Sequence, residues 1–183
     1  MIYWFKRKYS QVKRVLDYLP VIWNGFDWDY KYAADLFAHQ LGRMADHFES
    51  DKACTLSAND NAKRIRTTLK LMKLVGDEEY AMEYFDYEDV EYKFVPLNDD
   101  EGYSTTETNY KLGTYDDFFK KYPLIHKRVL NGEGIWGKQY NLGNSTDFEL
   151  KRKVAMNIAY LNQERARKTL HKLIERNIQR WWD

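Results

Sequence analysis

The chain has 183 residues, a formal net charge of +1 and a mean hydropathy of -0.76. Its single cysteine, Cys54, excludes an internal disulfide and a multi-cysteine zinc site. No apolar run approaches the length of a transmembrane helix, and the basic Lys6-Arg7-Lys8 is not followed by the apolar stretch of a signal peptide. The sequence therefore predicts one soluble domain over residues 1–183, in a reducing cytoplasm, with no membrane partner.

The N-terminal part of the chain is rich in aromatic side chains, with basic residues between them. Tyr9, Val12, Leu16 and Leu19 recur at helical spacing and predict a helix that ends before Pro20. Aromatic residues interleaved with basic ones can stack on nucleic-acid bases, but aromatic residues fill protein cores equally well. We expect these aromatic side chains in the core and the basic ones in solvent.

Residues 27–76 predict a helical hairpin, around which we expect the rest of the chain to be organised. The first helix spans about Asp29 to Glu49, and the second begins near Ser57 and ends at Gly76, since glycine commonly terminates helices. The expected core faces are Tyr30, Ala33, Phe37, Leu41, Met44, Phe48, Ala62, Ile65, Leu69 and Met72. A basic stripe beside the second core face is a candidate surface for nucleic acid or a protein partner. Its members are Lys63, Arg66, Lys70 and Lys73.

Residues 77–113 form an acidic, tyrosine-rich insertion. Val90 to Val95 alternates in the way of a half-buried strand, and residues 103–112 are expected to pair with it as a small β-hairpin. Carboxylates spaced along such an element can imitate the phosphates of a duplex. The alternative is a solvated acidic face that balances the basic helices. The candidate mimic residues are Glu83, Asp86, Glu88, Asp89 and Glu91.

Residues 114–130 are expected to be helical, and Pro123 should kink or divide them. The segment 131–139 then satisfies the G-x-G-x-x-G spacing of nucleotide-binding loops. That motif should follow a strand and open a helix, whereas here it follows a helical pattern. In addition, Gln139 stands where a P-loop carries Ser or Thr. We therefore predict a flexible loop rather than a nucleotide site.

The last predicted helix covers residues 146–181, with Thr146 and Glu149 as a capping box at its start. Its apolar stripe moves by almost half a turn after Asn162, so either the helix bends there or its two halves pack against different partners. This is the most basic part of the chain. Its candidate binding residues are Arg165, Lys168, Lys172 and Arg176.

Residues with catalytic or metal-binding chemistry do not form a convincing set. Asp35, His39 and Asp46 share one helix face, but a metal needs three or four converging ligands. That face lies opposite the expected core, so we predict solvated surface. A reactive Cys54 would need a neighbour that lowers the pKa of its thiol, and the sequence indicates none. We therefore predict a protein that is not an enzyme and that needs no cofactor or metal.

Four motifs stand out in the hairpin and at the C-terminus. They are Asp27-Trp28-Asp29-Tyr30, the helix with Leu41, Met44 and Phe48, the segment Ala62-Lys63-Arg64-Ile65-Arg66 with Leu69 and Leu74, and Trp181-Trp182-Asp183. Together they resemble a family of small, functionally uncharacterised proteins from tailed bacteriophages. The resemblance covers about a third of the chain. It implies a viral origin and action in the host cytoplasm, and it names no chemistry.

The expected fold is mainly α: a helical hairpin and a long C-terminal helix, with a small β-hairpin inserted. The expected function is that of a phage protein that binds a host protein or ribonucleoprotein. Inhibition of a defence effector such as a CRISPR nuclease, through nucleic-acid mimicry by the acidic insertion, is its concrete form. The alternatives are an accessory protein of phage replication that binds DNA or RNA through its basic helices, and a structural component of the virion.

Overall fold

The computed structural model describes residues 2–23, 25, 29–96, 103–111, 115–143 and 147–181. The α-helices are α1 (Ile2–Trp23), α2 (Tyr30–Glu49), α3 (Ala58–Gly76), α4 (Glu79–Met82), α5 (Tyr115–Lys121), α6 (Pro123–Leu130) and α7 (Phe148–Asn177). Strands β1 (Asp89–Pro96) and β2 (Ser104–Lys111) form an antiparallel hairpin, and short 3-10 turns span Glu83–Tyr87 and Gln179–Trp181. The predicted fold class, mainly α with a β-hairpin and a long C-terminal helix, is confirmed.

The chain divides into two compact units. Unit 1 comprises Met1–Gly76 with Thr169–Asp183, and unit 2 comprises Asp77–Lys168. Each unit has its own hydrophobic core. The assignment of residues 1–183 to one domain stays a prediction. Within the described residues, no helix has both the length and the apolar character needed to cross a bilayer.

The core of unit 1 lies between α2 and α3, as the hairpin pattern predicts. The Asp29 side chain accepts a hydrogen bond from the Lys31 backbone N–H at 2.9 Å, which caps α2 at its start. The buried side chains are Leu41, Ala45, Phe48, Ala58, Ala62, Ile65 and Trp181. The first turn of α2 does not contribute, because Tyr30 is 76% exposed and Ala33 is exposed as well. That part of the predicted core face is wrong.

Helix α1 differs from its prediction in two respects. It continues through Pro20 to Trp23, because only one turn lies beyond the proline and a single backbone donor is lost there. Its apolar side chains are exposed rather than buried in the core; they are Tyr3, Trp4, Phe5, Tyr9, Val12, Val15, Leu16, Leu19, Ile22 and Trp23. The reason is that α1 contacts α2 through a different side. Asp17 pairs with Arg43 of α2 at 3.3 Å, and the Tyr18 hydroxyl donates a hydrogen bond to the Gln40 side chain.

The core of unit 2 brings α5, α6 and the first half of α7 together. Its buried side chains are Tyr84, Tyr115, Phe118, Phe119, Ile125, Val129, Val154, Ala155, Ile158 and Ala159. Pro123 divides the segment as predicted, since α5 ends at Lys121 and α6 begins at the proline. Proline is favourable at this first position because its missing N–H would have had no partner inside the helix.

The two predicted strands pair as a β-hairpin, but the aromatic side chains of β1 are exposed. Tyr92 faces Thr108 across the ladder, and Phe94 faces Thr106. Both aromatic side chains are exposed, as is Lys93 on the opposite face. The alternating pattern therefore identified the strand correctly, although Tyr92 and Phe94, on the side expected to be buried, are exposed.

The moving apolar stripe of α7 has a clear structural counterpart. Val154 and Ile158 lie in the core of unit 2, whereas Trp181, just beyond the helix, lies in the core of unit 1. Of the two alternatives left open by the sequence, a bend or different packing partners for the two halves, these contacts favour the second. Thr146 lies outside the described residues, and at the start of the helix the Asp147 side chain accepts a hydrogen bond from the Leu150 backbone N–H at 3.3 Å.

Candidate functional site

The predicted basic stripe of α3 is exposed along its whole length, but its members are not equivalent. Lys63, Lys70 and Lys73 make no ion pair or hydrogen bond through their side chains to the part of the chain that the structure describes. Arg66 is paired: its Nη2 lies 2.6 Å from Asp46 Oδ1 and 2.7 Å from Glu49 Oε2. We call Lys63, Lys70 and Lys73 the lysine stripe.

The pairing of Arg66 gives this residue a role in the hairpin itself. Its Nε also donates to Glu49 Oε1 at 3.1 Å, so the guanidinium grips that carboxylate with two nitrogens. The hydrogen bond from Arg66 holds the pKa of Glu49 below its usual range, and the hydrogen bonds to Glu49 and Asp46 raise the pKa of Arg66. Arg66 therefore links α3 to α2, and its charge is already neutralised.

The predicted basic residues of α7 are all exposed, but they fall in different units. Arg165 and Lys168 belong to unit 2, whereas Lys172 and Arg176 belong to unit 1. Only Lys172 and Arg176 lie in the same unit as the lysine stripe, so only these two can contribute to the same binding surface. The end of α7, which belongs to unit 1, also contacts α3. Arg64 of α3 donates a hydrogen bond to the Asn177 side chain at 3.4 Å.

Two of the predicted acidic mimic residues are bound inside unit 2. The Glu88 carboxylate is 1% exposed and its Oε1 lies 2.9 Å from Arg152 Nε. The same oxygen accepts a hydrogen bond from the Tyr115 hydroxyl at 2.5 Å. Glu83 accepts a hydrogen bond from the Tyr122 hydroxyl at 2.6 Å and pairs with Lys121. A buried carboxylate needs such partners, so Glu83 and Glu88 cannot present phosphate-like charge, and this part of the mimic prediction is corrected.

The remaining predicted acidic residues are Asp86, Asp89 and Glu91. Asp86 and Glu91 are exposed, and the side chain of Asp89 lies outside those that the structure describes.

The carboxylates of Glu83 and Glu88 also raise the pKa of their tyrosine partners. Burial and the bond to Glu83 raise the pKa of Tyr122 to about 12. Burial and the bond to Glu88 raise the pKa of Tyr115 further. Both phenols therefore stay protonated donors at physiological pH.

The residues considered for metal or acid–base chemistry do not converge. Asp35 and Asp46 are exposed, but His39 is not on solvated surface as predicted. Its ring packs edge-on against Tyr18 of α1 at 4.8 Å between centroids. The described residues contain no cluster of three or more His, Cys, Asp or Glu side chains that could hold a metal ion. Cys54 is exposed and its Sγ lies 3.5 Å from the Lys52 carbonyl oxygen.

The glycine-rich segment after α6 is a loop whose glycines serve local structure. Asn157 of α7 is buried, and its Oδ1 accepts a hydrogen bond from the Ile135 backbone N–H at 2.7 Å. Its Nδ2 donates to the Lys153 carbonyl at 2.8 Å. Gly134 has φ of 136°, and a Cβ at this position would collide with the Asn157 side chain. The spacing that imitates a nucleotide motif thus lets the loop close onto Asn157, which fixes a segment we expected to be flexible.

The partners of the inward carboxylates were not identifiable in advance. Arg152 lies 64 residues from Glu88 in the chain, and Lys121 lies 38 residues from Glu83. The only available signal was that α5 and α7 carry basic residues beside an apolar stripe.

Comparison of the chain with protein-family models, curated proteins and solved structures gave no match. The bacteriophage relationship therefore stays a prediction from the resemblance.

Proposed function

We propose that the protein is a non-enzymatic DNA- or RNA-binding protein that contacts phosphates through the lysine stripe of α3. One observation carries this proposal. The lysines predicted for phosphate binding face solvent without intramolecular partners among the described residues, whereas Glu83 and Glu88 are used inside unit 2. Of the two functions expected from the charge patterns, this contrast supports direct binding over mimicry.

The dimensions of the stripe suit a nucleic-acid backbone. Ten residues separate Lys63 from Lys73, which is about 15 Å along a helix. Each strand of duplex DNA carries one phosphate per about 3.4 Å of helix axis, so a stripe aligned with that axis covers the rise of about four phosphates. Lys172 and Arg176 are exposed in the same unit and would add further contacts.

The residue types predict binding that does not depend on base sequence. Lysine binds phosphate as a flexible point charge, whereas the commonest base-specific contact is a two-pronged arginine on guanine. Arg66, the arginine of the predicted basic stripe, is already paired with Glu49 and Asp46. Contacts from lysine alone position a protein on nucleic acid without reading it.

Reversal of the lysine stripe tests the proposal. The variant Lys63→Glu/Lys70→Glu/Lys73→Glu leaves Arg66 and its partners intact. The matched control, Lys93→Glu/Lys127→Glu/Lys153→Glu, makes the same change in net charge at exposed positions of unit 2. Fluorescence anisotropy with labelled duplex DNA and single-stranded RNA should show binding by the original protein and the control, and a loss of about tenfold or more in the stripe variant. Equal affinities of the two variants, or no binding by the original protein, would exclude this function.

Binding to a host protein is a second candidate, and the exposed face of α1 supports it. Phe5, Tyr9, Val12, Leu16, Leu19 and Trp23 are exposed and alternate at spacings of four and three residues. This spacing is typical of a seam that packs against another helix. An apolar face of this kind is more readily explained by a protein partner than by solvent.

Inhibition of a defence effector is the form of this second function that the bacteriophage resemblance suggests. The test is a DNA-cleavage assay with purified CRISPR effector nucleases, with the original protein, Val12→Asp/Leu16→Asp and the exposed control Leu56→Asp. An inhibitor that uses α1 should lose potency only with the double variant. Cleavage that is unaffected by the original protein would remove this candidate for the effectors tested.

A further inference from the structure

Unit 1 contains a cavity of about 750 Å³ between α1, α2 and the turn that joins α2 to α3. Its volume lies within the range of small-molecule sites. The lysine stripe does not take part, because no residue of α3 lines the cavity in the described part of the chain. A ligand in this cavity would therefore contact residues other than those of the lysine stripe.

The walls of the cavity favour an anion. Arg14 comes from α1, Arg43 and His47 from α2, and Lys52 from the turn. No Asp or Glu belongs to the lining that the structure describes. Arg43 is held in place by Asp17 at 3.3 Å and by the Tyr18 ring, whose centroid lies 5.3 Å from its Cζ. Unlike Arg66, which two carboxylates hold through Nε and Nη2, Arg43 contacts one carboxylate through Nη2 in the described residues. Its other guanidinium donors are left for a phosphate or carboxylate.

The remaining wall is apolar and aromatic. Met44, Phe48 and Trp181 line the cavity together. These side chains offer a planar ring the apolar contact that the cationic residues do not provide.

We propose that this cavity binds a nucleotide. The phosphate would lie against Arg14, Arg43 and Lys52, and the base against Phe48 and Trp181. Inorganic phosphate alone would leave most of the 750 Å³ unfilled, and an uncharged ring would leave the cationic wall unused. The same chemistry is presented by a free mononucleotide and by the 5′-phosphorylated end of a strand. Neither source involves the lysine stripe, so the proposal stands or fails independently of that surface.

Cys54 provides a direct measurement of occupancy. It lines the cavity, it is exposed, and it is the one cysteine of the chain. A thiol reagent such as 5,5′-dithiobis(2-nitrobenzoate) therefore reports on this place alone. The probes are AMP, GMP, CMP and UMP, with adenosine and inorganic phosphate as the two halves of a ligand. An oligonucleotide with a 5′-phosphate and the same strand with a 5′-hydroxyl distinguish the second source.

At least one nucleotide should slow the modification of Cys54 in a saturable way and give binding heat in calorimetry, while the half-ligands at equal concentration should not. Protection by the 5′-phosphorylated strand but not by its 5′-hydroxyl form would assign the site to strand ends. In Arg14→Gln/Lys52→Gln the affinity should fall by about tenfold or more, because charged hydrogen bonds to the phosphate are lost. The control Arg7→Gln/Lys13→Gln removes the same charge from exposed positions outside the lining. The absence of protection and heat with every probe, or equal affinities of the two variants, would overturn the proposal.

Discussion

Arg152 of α7 holds the carboxylate of Glu88 at 2.9 Å, and that carboxylate is only 1% exposed. The pair joins the segment before β1 to the central helix of unit 2. Tyr115 donates to the same oxygen at 2.5 Å. A group predicted to imitate phosphate on the surface is thus a structural ion pair in the interior.

Glu88→Gln should destabilise the protein by about 1.5–3 kcal/mol, the usual range for a hydrogen bond to a charged group. The amide keeps the size of the side chain but removes the charge that Arg152 and Tyr115 face. Asp86→Asn is the matched control, because its side chain is exposed nearby and should change stability by about 0.5 kcal/mol or less. Urea unfolding monitored by circular dichroism measures both. Equal midpoints for Glu88→Gln and the original protein would show that the pair contributes nothing.

The hairpin core makes a second prediction. Leu41 and Ile65 are 1% and 0% exposed, so Leu41→Ala and Ile65→Ala should each cost about 2–5 kcal/mol. Phe37 and Leu69 are only partly buried against this cluster and should cost less. Leu124→Ala, at an exposed position, is the control in the same denaturation series. Core variants as stable as the control would mean that α2 and α3 do not pack as described.

The loop held by Asn157 gives a third prediction. Gly134→Ala should cost about 2–4 kcal/mol, because the backbone has a positive φ and the added Cβ meets the Asn157 side chain. Gly137 also has a positive φ, of 57°, but a Cβ added there would meet no other atom within 4 Å. Gly137→Ala should therefore cost only about 1–2 kcal/mol. Thermal unfolding distinguishes them, and a ranking in which Gly137→Ala is the more damaging would contradict the assigned contact.

His126 makes stability depend on pH. Its ring stacks on Phe119 at 4.4 Å, and burial lowers its pKa from the ordinary value of 6.5 although Asp116 opposes this. The unfolded chain therefore takes up a proton first as the pH falls. Stability from this residue is complete above about pH 6.5 and is lost as the pH drops through the lower pKa of the folded protein.

His126→Phe keeps the stacked ring and removes the proton. It should flatten the decline in unfolding free energy between about pH 7 and pH 5, measured by urea unfolding across that range. His171→Phe, on exposed surface, serves as the control and should retain the decline. A decline that is unchanged in His126→Phe would show that the burial of this ring does not control it.

Features encoded by short stretches of sequence were predictable. The stop at Gly76, the division at Pro123 and the pairing of the β-hairpin all depend on neighbours within a few residues. Their physical causes, which are backbone donors, glycine and proline geometry and side-chain alternation, can be read directly from the chain.

Features that depend on distant segments were not predictable. The helical period of α1 shows which side is apolar, but it does not show whether another element covers that side. The acidic run around Glu88 does not reveal which carboxylate turns inward, because Arg152 arrives from α7. The cavity likewise combines Arg14, Arg43 and Lys52 from three segments, and each of them reads alone as a solvated cation.

The salt dependence of nucleic-acid binding shows whether the lysine stripe contacts phosphate. The affinity of the original protein and of Lys63→Gln/Lys70→Gln/Lys73→Gln for one duplex DNA is measured by anisotropy over a range of salt concentrations. Each phosphate contact contributes about 0.9 to the slope of log affinity against log salt. The variant should therefore have a slope that is shallower by about 2.7, because three contacts are removed. Two parallel lines, whatever their separation, would show that the lysine stripe does not contact phosphate.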